Sequence, residues 1–198
     1  IGDAVVAFWS LPFASLEEGA LNSCIAALEQ QNKIEIFQRK VSEITGIRKE
    51  VPKIVVRMGI ATGECVVGNI GSNSTKSFTA IGPPTEWAEE LETLNKKYNT
   101  KILVLEPTVK LVGRKMEFRR IERIEISPNK KAYVFELIGE KGAVPTELIN
   151  YRDEYERALS YLEGGDAKSA ATHFLACKEK NSNDNAVIMH LDNIGVAS

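Results

Sequence analysis

Apolar positions in the first quarter of the chain predict one strand and one long helix. Residues 4–9 are an apolar run rich in valine and aromatic side chains, which is typical of a strand buried on both faces. Ser15 and Glu18 form a capping-box pattern, and the apolar residues after them recur at near-helical spacing. We therefore expect a helix from about residue 15 to the low 40s, closing near Thr45 and Gly46.

The pattern then changes to the period of a β-strand. Residues 53–61 alternate between apolar and polar side chains, and Thr62 and Gly63 separate them from a second apolar run at 65–70. This arrangement predicts a β-hairpin. Residues 71–76 form a polar turn rich in Gly, Ser and Asn, and residues 78–81 indicate another short strand.

The middle of the chain predicts a helix followed by three strands. Pro83 and Pro84 can open a helix because proline tolerates the first turn, and apolar spacing continues to about Tyr98. The strands are expected at 101–105, 118–126 and 132–138, with a turn at 127–129. This count favours an α/β (α+β) fold with a mixed, mostly antiparallel sheet and covering helices.

The last quarter of the chain is wholly helical in pattern. It follows a loop at 140–145, and its positions from Tyr151 onward, around Gly165 and Asp166, are similar to a helix-turn-helix unit of tetratricopeptide type. One such unit cannot bury its own apolar face, so we expect this helical hairpin to pack against the main domain or a second chain. The chain thus divides into a main domain, 1–140, and a helical extension, 146–198.

Composition excludes several classes of function. A hydrophobic fraction of 43% with 26% charged residues is that of a globular protein, and a net charge of −2 lacks the basic excess of nucleic-acid binders. No stretch approaches the length of a membrane span, so we expect no direct membrane contact, and any anchor would lie upstream. The opening residues read as a turn and a strand, which indicates that the chain begins inside a domain.

The cysteines and histidines indicate no metal site. The three cysteines, Cys24, Cys65 and Cys177, are widely spaced, which favours neither a disulfide framework nor a metal knuckle and is consistent with a reducing cytoplasm. His173 and His190 have no carboxylate or cysteine at ligand spacing, so we expect core or surface roles for both.

Three segments in order resemble the class III adenylyl and guanylyl cyclases. They are Gly-Asp-Ala-Val-Val-Ala-Phe-Trp at 2–9, Arg-Met-Gly-Ile-Ala-Thr-Gly-Glu at 57–64 with Val-Val-Gly-Asn-Ile-Gly-Ser at 66–72, and Phe-Thr-Ala-Ile-Gly at 78–82 with Ala-Glu-Glu-Leu-Glu at 88–92. The resemblance covers roughly residues 1–140 and implies an N-terminally truncated catalytic domain of ferredoxin-like fold. It also implies a head-to-tail dimer, as a homodimer or with another cyclase domain, with active sites between the protomers.

The resemblance assigns a metal ligand and a base-selecting residue. In that family two carboxylates of one protomer hold two metal ions, Mg²⁺ or Mn²⁺, which activate the ribose 3'-hydroxyl and neutralise the triphosphate. Asp3 matches the second carboxylate, or is only a turn residue ahead of a strand, and the first would lie upstream of Ile1. The base-selecting position falls on Thr79, a residue type that bacterial adenylyl cyclases use there, which is consistent with ATP.

Three other positions depart from the family pattern. The ribose-orienting Asn position falls on Glu86, the phosphate-binding Arg position on Glu90, and the catalytic Lys position on Ser127. Glu86 and Glu90 share a helix face because they are four residues apart. The replacements make the site four charges more negative, so we expect weak ATP binding and poor charge stabilisation of the phosphates. Alternatively, the two glutamates are only a solvated helix face.

Three hypotheses follow from these residues. The first is an adenylate cyclase that forms cyclic AMP as a homodimer or as one half of a heterodimer. The second, which the three departures favour, is a pseudoenzyme that pairs with a partner and transmits a signal. The third is a cation site formed by the paired glutamates with Asp3 of another subunit.

Overall fold

The computed structural model describes residues 4–46, 53–72 and 75–196. The helices within these ranges are α1 (Leu16–Thr45), α2 (Pro83–Tyr98), α3 (Glu106–Val112), α4 (Thr146–Glu163), α5 (Ala167–Lys180) and α6 (Asn185–Ile194). The strands are β1 (Met58–Ile60), β2 (Val66–Ser72), β3 (Thr75–Ile81), β4 (Ile102–Leu105), β5 (Met116–Ser127) and β6 (Lys130–Glu140).

Four of these strands form one mixed sheet in the order β1-β4-β6-β5. β1 and β4 are parallel, whereas β4 pairs antiparallel with β6 and β6 antiparallel with β5. β2 and β3 form a separate antiparallel hairpin. The expected fold class, a mixed and mostly antiparallel sheet with covering helices and a C-terminal helical hairpin, is confirmed.

The four-stranded sheet is covered on both faces. All four residues of β4 are buried, and successive side chains of a strand point to opposite faces. Ile102 and Val104 pack in a cluster with residues of α1, and Leu103 and Leu105 pack in a second cluster with residues of α2 and α4–α6. The result is a three-layer arrangement in which β4 is apolar on both sides.

The long helix α1 begins and ends at the residues that the sequence predicts. The Ser15 Oγ accepts a hydrogen bond from the Glu18 backbone N–H at 3.3 Å, and the Glu18 carboxylate accepts one from the Ser15 N–H at 2.9 Å. The Ser15 hydroxyl also donates to the Glu18 carboxylate at 2.7 Å, and this bond, together with the one from the Ser15 N–H, lowers the pKa of Glu18 because it stabilises the ionised form. Gly46 ends the helix in the left-handed conformation, with φ of 70°.

Two strand predictions are wrong. Residues 4–9 are not a strand in the structure, and the side chains of Val5 and Val6 are 92% and 72% exposed. Residues 53–61 do not form a hairpin with 65–70, because Met58–Ile60 instead pairs in parallel with β4 and Val66–Ser72 pairs with β3. The sequence analysis also assigned no element to residues 106–112, where α3 lies.

The helix α2 lies directly on β1 at a glycine. A Cβ atom at Gly59 would be 1.9 Å from the carbonyl oxygen of Ala88, so only glycine allows this approach of helix and strand. The buried Asn95 fixes the same contact, since its Nδ2 donates to the Met58 carbonyl at 2.9 Å and its Oδ1 accepts from Thr100 Oγ1 at 2.8 Å. The position of α2 is therefore set by close packing and by a satisfied buried amide.

We expect Gly59→Ala to lower the free energy of unfolding by about 3 kcal/mol, because the added methyl group can be accommodated only by moving backbone. Gly68→Ala is the matched control, since a Cβ there meets no atom within 4 Å. Urea denaturation of both variants measures the difference. Equal losses in the two variants would show that α2 does not depend on the close contact at Gly59.

The C-terminal helices share a core with the sheet. Tyr155, Phe174 and Leu191, from three different helices, are completely buried in the cluster that also contains Leu103 and Ile121. The division into 1–140 and 146–198 stays a prediction, although turns at 141–144 do separate β6 from α4. None of the described helices combines the length and the apolar character that a membrane span requires.

Candidate functional site

Glu86 and Glu90 lie on the exposed side of α2. Glu86 is in the first turn, and Leu91, Asn95 and Tyr98 form the buried side of the same helix. Among the described residues, no lysine, arginine or histidine nitrogen lies within ion-pair distance of either carboxylate. Two unpaired negative charges therefore face outward together near the beginning of this helix.

The start of α2 is fixed by the loop that precedes it. Gly82 has φ of 153°, and a Cβ there would lie 3.0 Å from the Glu64 carbonyl oxygen. The Thr85 N–H and hydroxyl both donate to the Gly82 carbonyl, at 3.0 and 2.7 Å. Pro83 and Pro84 have no backbone N–H and the Thr85 N–H is already bonded, so these three positions offer no free donor to an anion, and Glu86 adds a carboxylate in the same turn.

Thr79 lies on the hairpin that leads into α2. It is half-buried on β3, opposite Gly68 of β2, and β3 ends one residue before Gly82. Val66 and Ile81, which pair across the hairpin on the same face as Thr79, are 70% and 52% exposed, and Phe78 is 59% exposed on the opposite face. The structure therefore places Thr79 on an element adjacent to the two glutamates, beside an uncovered apolar surface.

Ser127 is on a different part of the sheet. It ends β5, pairs with Lys130 across the turn, is exposed, and makes no hydrogen bond to Glu86 or Glu90. β5 is the edge strand farthest from β1, on which the start of α2 lies, and β4 and β6 separate the two strands by about 14 Å, whereas the end of α2 reaches β5 at Glu122. Within the described chain the structure brings Glu86 and Glu90 together but not Ser127.

The candidate metal ligand Asp3 lies outside the described residues. Within residues 4–46, 53–72 and 75–196, no three His, Cys, Asp or Glu side chains are grouped as they would be around a metal ion. His173 bonds to the Glu154 carboxylate at 2.7 Å, a partner that the sequence analysis did not identify. His190 is stacked on Phe174 and contacts the Tyr155 hydroxyl at 3.1 Å, and burial lowers its pKa.

Sequence reasoning missed the residues that hold the far end of α2. The Glu122 carboxylate on β5 forms an ion pair with Lys97 at 3.0 Å and accepts a hydrogen bond from the Tyr98 hydroxyl. Burial and the neighbouring carboxylate raise the pKa of Tyr98, so it stays a donor. In the sequence, the polar Asn95 on an otherwise apolar helix face was the residue that indicated a buried polar contact of α2.

Comparison with known proteins identifies relatives. No family model matches the chain. Adenylate cyclase 1 of Rhizobium meliloti (strain 1021) is 30% identical over 146 residues, 73% of this chain. The terminal-differentiation-specific adenylate cyclase of Dictyostelium discoideum is 22% identical over 196 residues, 96% of this chain, so its match includes the C-terminal helices. The matched regions are only 21% and 9% of those two proteins.

A solved structure has a similar fold. The adenylyl cyclase CyaB from P. aeruginosa superposes with a TM-score of 0.56 at 20% identity, covering 70% of this chain and 68% of that one. At this identity the likeness concerns the fold. The described chain therefore has the fold of the class III cyclase catalytic domain and is related in sequence to adenylate cyclases.

Proposed function

We propose that this chain is a class III cyclase-type signalling domain that does not turn over ATP by itself and acts as a regulatory, dimerising module. The observation that carries the proposal is the pair Glu86 and Glu90, exposed one helical turn apart on α2 without a described cation beside them. In the family these positions are an Asn and an Arg that bind the ribose and the phosphates.

The charges at these positions support the loss of phosphate binding. A triphosphate beside α2 would meet two carboxylates in place of a neutral amide and a guanidinium, and Ser127 in place of a lysine. Two like charges about 4 Å apart repel each other by roughly 4 kcal/mol at an effective dielectric of 20, and solvent exposure reduces this repulsion. Catalysis of phosphoryl chemistry depends on positioning and charge stabilisation, so the rate should fall by several powers of ten.

A second domain as partner is supported by the apolar surface beside α2. On one face of the β2–β3 hairpin the paired Val66 and Ile81 are exposed, and on the other face Phe78 is exposed and contacts Phe8 of the N-terminal segment with ring centroids 5.8 Å apart. Large apolar side chains left exposed on a hairpin are typical of an element that a partner covers. The partner is another cyclase domain, in a homodimer or heterodimer.

The proposal also covers the metal ions, the C-terminal helices and the cellular location. Mg²⁺ or Mn²⁺ would require Asp3 and a further carboxylate, and the described residues contain no group of three His, Cys, Asp or Glu side chains arranged as around a metal ion. The α4–α5 hairpin is proposed as a single tetratricopeptide-like unit whose apolar face is buried against the sheet. A cytoplasmic location fits the free Cys24, Cys65 and Cys177.

The test is cyclic AMP formation by the purified full-length protein with ATP and Mg²⁺ or Mn²⁺. We expect none above background, and we expect size-exclusion chromatography with light scattering to detect a dimer or capture of an added cyclase domain. Cyclic AMP made by the unmodified chain alone would contradict the proposal and support the alternative, an active adenylate cyclase. Cyclic AMP formed only after mixing with a second domain that is inactive alone would support the heterodimer.

A further inference from the structure

The turn between α5 and α6 contacts the end of α2. The side-chain amide of Asn99, the residue that ends α2, donates to the Asn183 carbonyl at 3.0 Å. The side-chain amide of Asn185 donates in the opposite direction, to the Lys97 carbonyl at 3.1 Å. We call residues 183–185 the junction, since two reciprocal amide hydrogen bonds connect it to α2.

The middle residue of the junction connects three further elements. Asp184 is buried, with its side chain 4% exposed. Its Oδ1 caps α6 by accepting from the N–H groups of Ala186 and Val187, at 3.0 and 3.3 Å. Its Oδ2 accepts a hydrogen bond from the Tyr151 hydroxyl of α4 at 2.7 Å and forms an ion pair with Arg119 of β5.

Arg119 extends these contacts across the sheet. Its side chain is 5% exposed, its Nε donates to the Glu136 carboxylate of β6 at 2.9 Å, and its guanidinium lies over the Tyr155 ring at 4.7 Å. A buried ion pair is favourable only in a narrow range of geometries, because each charge has lost its water. The contacts of Arg119 therefore favour one docked position of α4 and α6 on the sheet.

The helix held by the junction is the one that bears the candidate site. α2 is 16 residues long, with Glu86 and Glu90 in its first half and the junction contacts at its last turn. The two glutamates and the junction contacts are thus on one continuous helix, about 24 Å long at roughly 1.5 Å per residue. The first-half residues also pack on β1 through Gly59, which defines the docked position of the helix.

We propose that the C-terminal helical layer, α4–α6, is a conformational device that positions α2 through the junction. Undocking or shifting of the layer at Tyr151 or Asp184 would remove the two junction hydrogen bonds from the last turn of α2, which then depends on the contacts of Lys97 and Tyr98 with Glu122. A signal that reaches the C-terminal helices can thereby alter the surface on which Glu86 and Glu90 lie. The inference does not depend on the proposed function, because the coupling exists whether or not nucleotide binds.

Hydrogen exchange of the whole chain, measured by mass spectrometry, tests the coupling. Tyr151→Phe removes only the hydroxyl that bonds to Asp184, and Tyr151 makes no hydrogen bond to α2. We expect amides 91–98 of α2 to exchange about fivefold faster in this variant, the effect of one lost hydrogen bond. The double variant Asn99→Gly/Asn185→Ala removes both amide contacts, and in it α2 should exchange faster as well. Adding Tyr151→Phe to this double variant should increase the exchange rate of α2 by less than about twofold, because the contact it acts through is already absent.

The control is Asn129→Gly/Asn193→Ala. Asn129, like Asn99, is in the left-handed conformation, so glycine preserves the backbone, and Asn193 is an exposed residue of α6. No change in α2 is expected there. Unchanged exchange of α2 in Tyr151→Phe would overturn the proposal. A uniform increase of exchange over every segment would also overturn it, because that pattern reports global unfolding. So would full additivity of the effects in the combined variant.

Discussion

Replacing Arg119 by methionine is expected to lower the free energy of unfolding by about 3–5 kcal/mol. The substitution keeps much of the side-chain volume but leaves the buried Asp184 and the partly buried Glu136 without their cation. An uncompensated buried charge is far more costly than the net contribution of the intact pair. Urea denaturation, followed by circular dichroism, measures the loss.

The control for this prediction is an exposed ion pair. Lys101 and Glu35 are 2.6 Å apart with side chains 58% and 50% exposed, so Lys101→Met should cost no more than about 1 kcal/mol. Adding Glu136→Gln and Asp184→Asn to Arg119→Met should recover part of the stability, because the charges are then absent while an asparagine side chain can still cap α6. Equal losses for Arg119→Met and Lys101→Met would mean that the buried network does not stabilise the docked layer.

The affinity for ATP is expected to rise by about 10- to 100-fold in Glu86→Asn/Glu90→Arg. The pair of substitutions removes two negative charges from α2, adds one positive charge and restores the family residue types at both positions. Titration with a fluorescent ATP analogue at low ionic strength measures the dissociation constant. The gain should shrink as salt is added, because exposed charges are screened.

The matched control is Glu89→Asn/Glu92→Arg. Glu89 and Glu92 are exposed residues of the same helix, and the change in net charge is identical. We expect an affinity gain of less than about threefold, since long-range attraction alone is weak at the surface. A similar gain in both variants would show that overall charge, rather than the Glu86 and Glu90 positions, limits binding.

Elements with local signals could be predicted from the sequence. The capping box at Ser15 and the glycine at 46 define both ends of α1, and Pro83 marks the start of α2. The strands β5 and β6 followed from their alternation and from the turn between them. In each case the residues that decide the structure are neighbours in the sequence.

Elements whose pairing is distant in sequence could not be predicted. Met58–Ile60 has its partner at Ile102–Leu105, and a parallel pair requires a long crossover, so a local hairpin was the wrong interpretation. Residues 4–9 have the apolar content of a strand, but in the described structure no strand pairs with them. Composition indicates that a segment is suited to a sheet without specifying its neighbour.

In the candidate site, too, local relations could be predicted from the sequence and distant contacts could not. The helical spacing of Glu86 and Glu90 was sufficient to place them on one face of α2. The ties that hold that helix, from Asn99 to Asn183 and from Tyr98 to Glu122, join residues far apart in the chain and left no local pattern. Ser127 was assigned by resemblance alone, and its relation to α2 depends on the order of strands.

The most direct test of the central claim, that Glu86 and Glu90 exclude an anionic substrate from α2, is an experimental structure of the chain in the presence of an ATP analogue and Mg²⁺. We predict that no phosphate group lies within ion-pair distance of the exposed face of α2. Phosphates bound against α2, beside the side chains of Glu86 and Glu90, would contradict the claim.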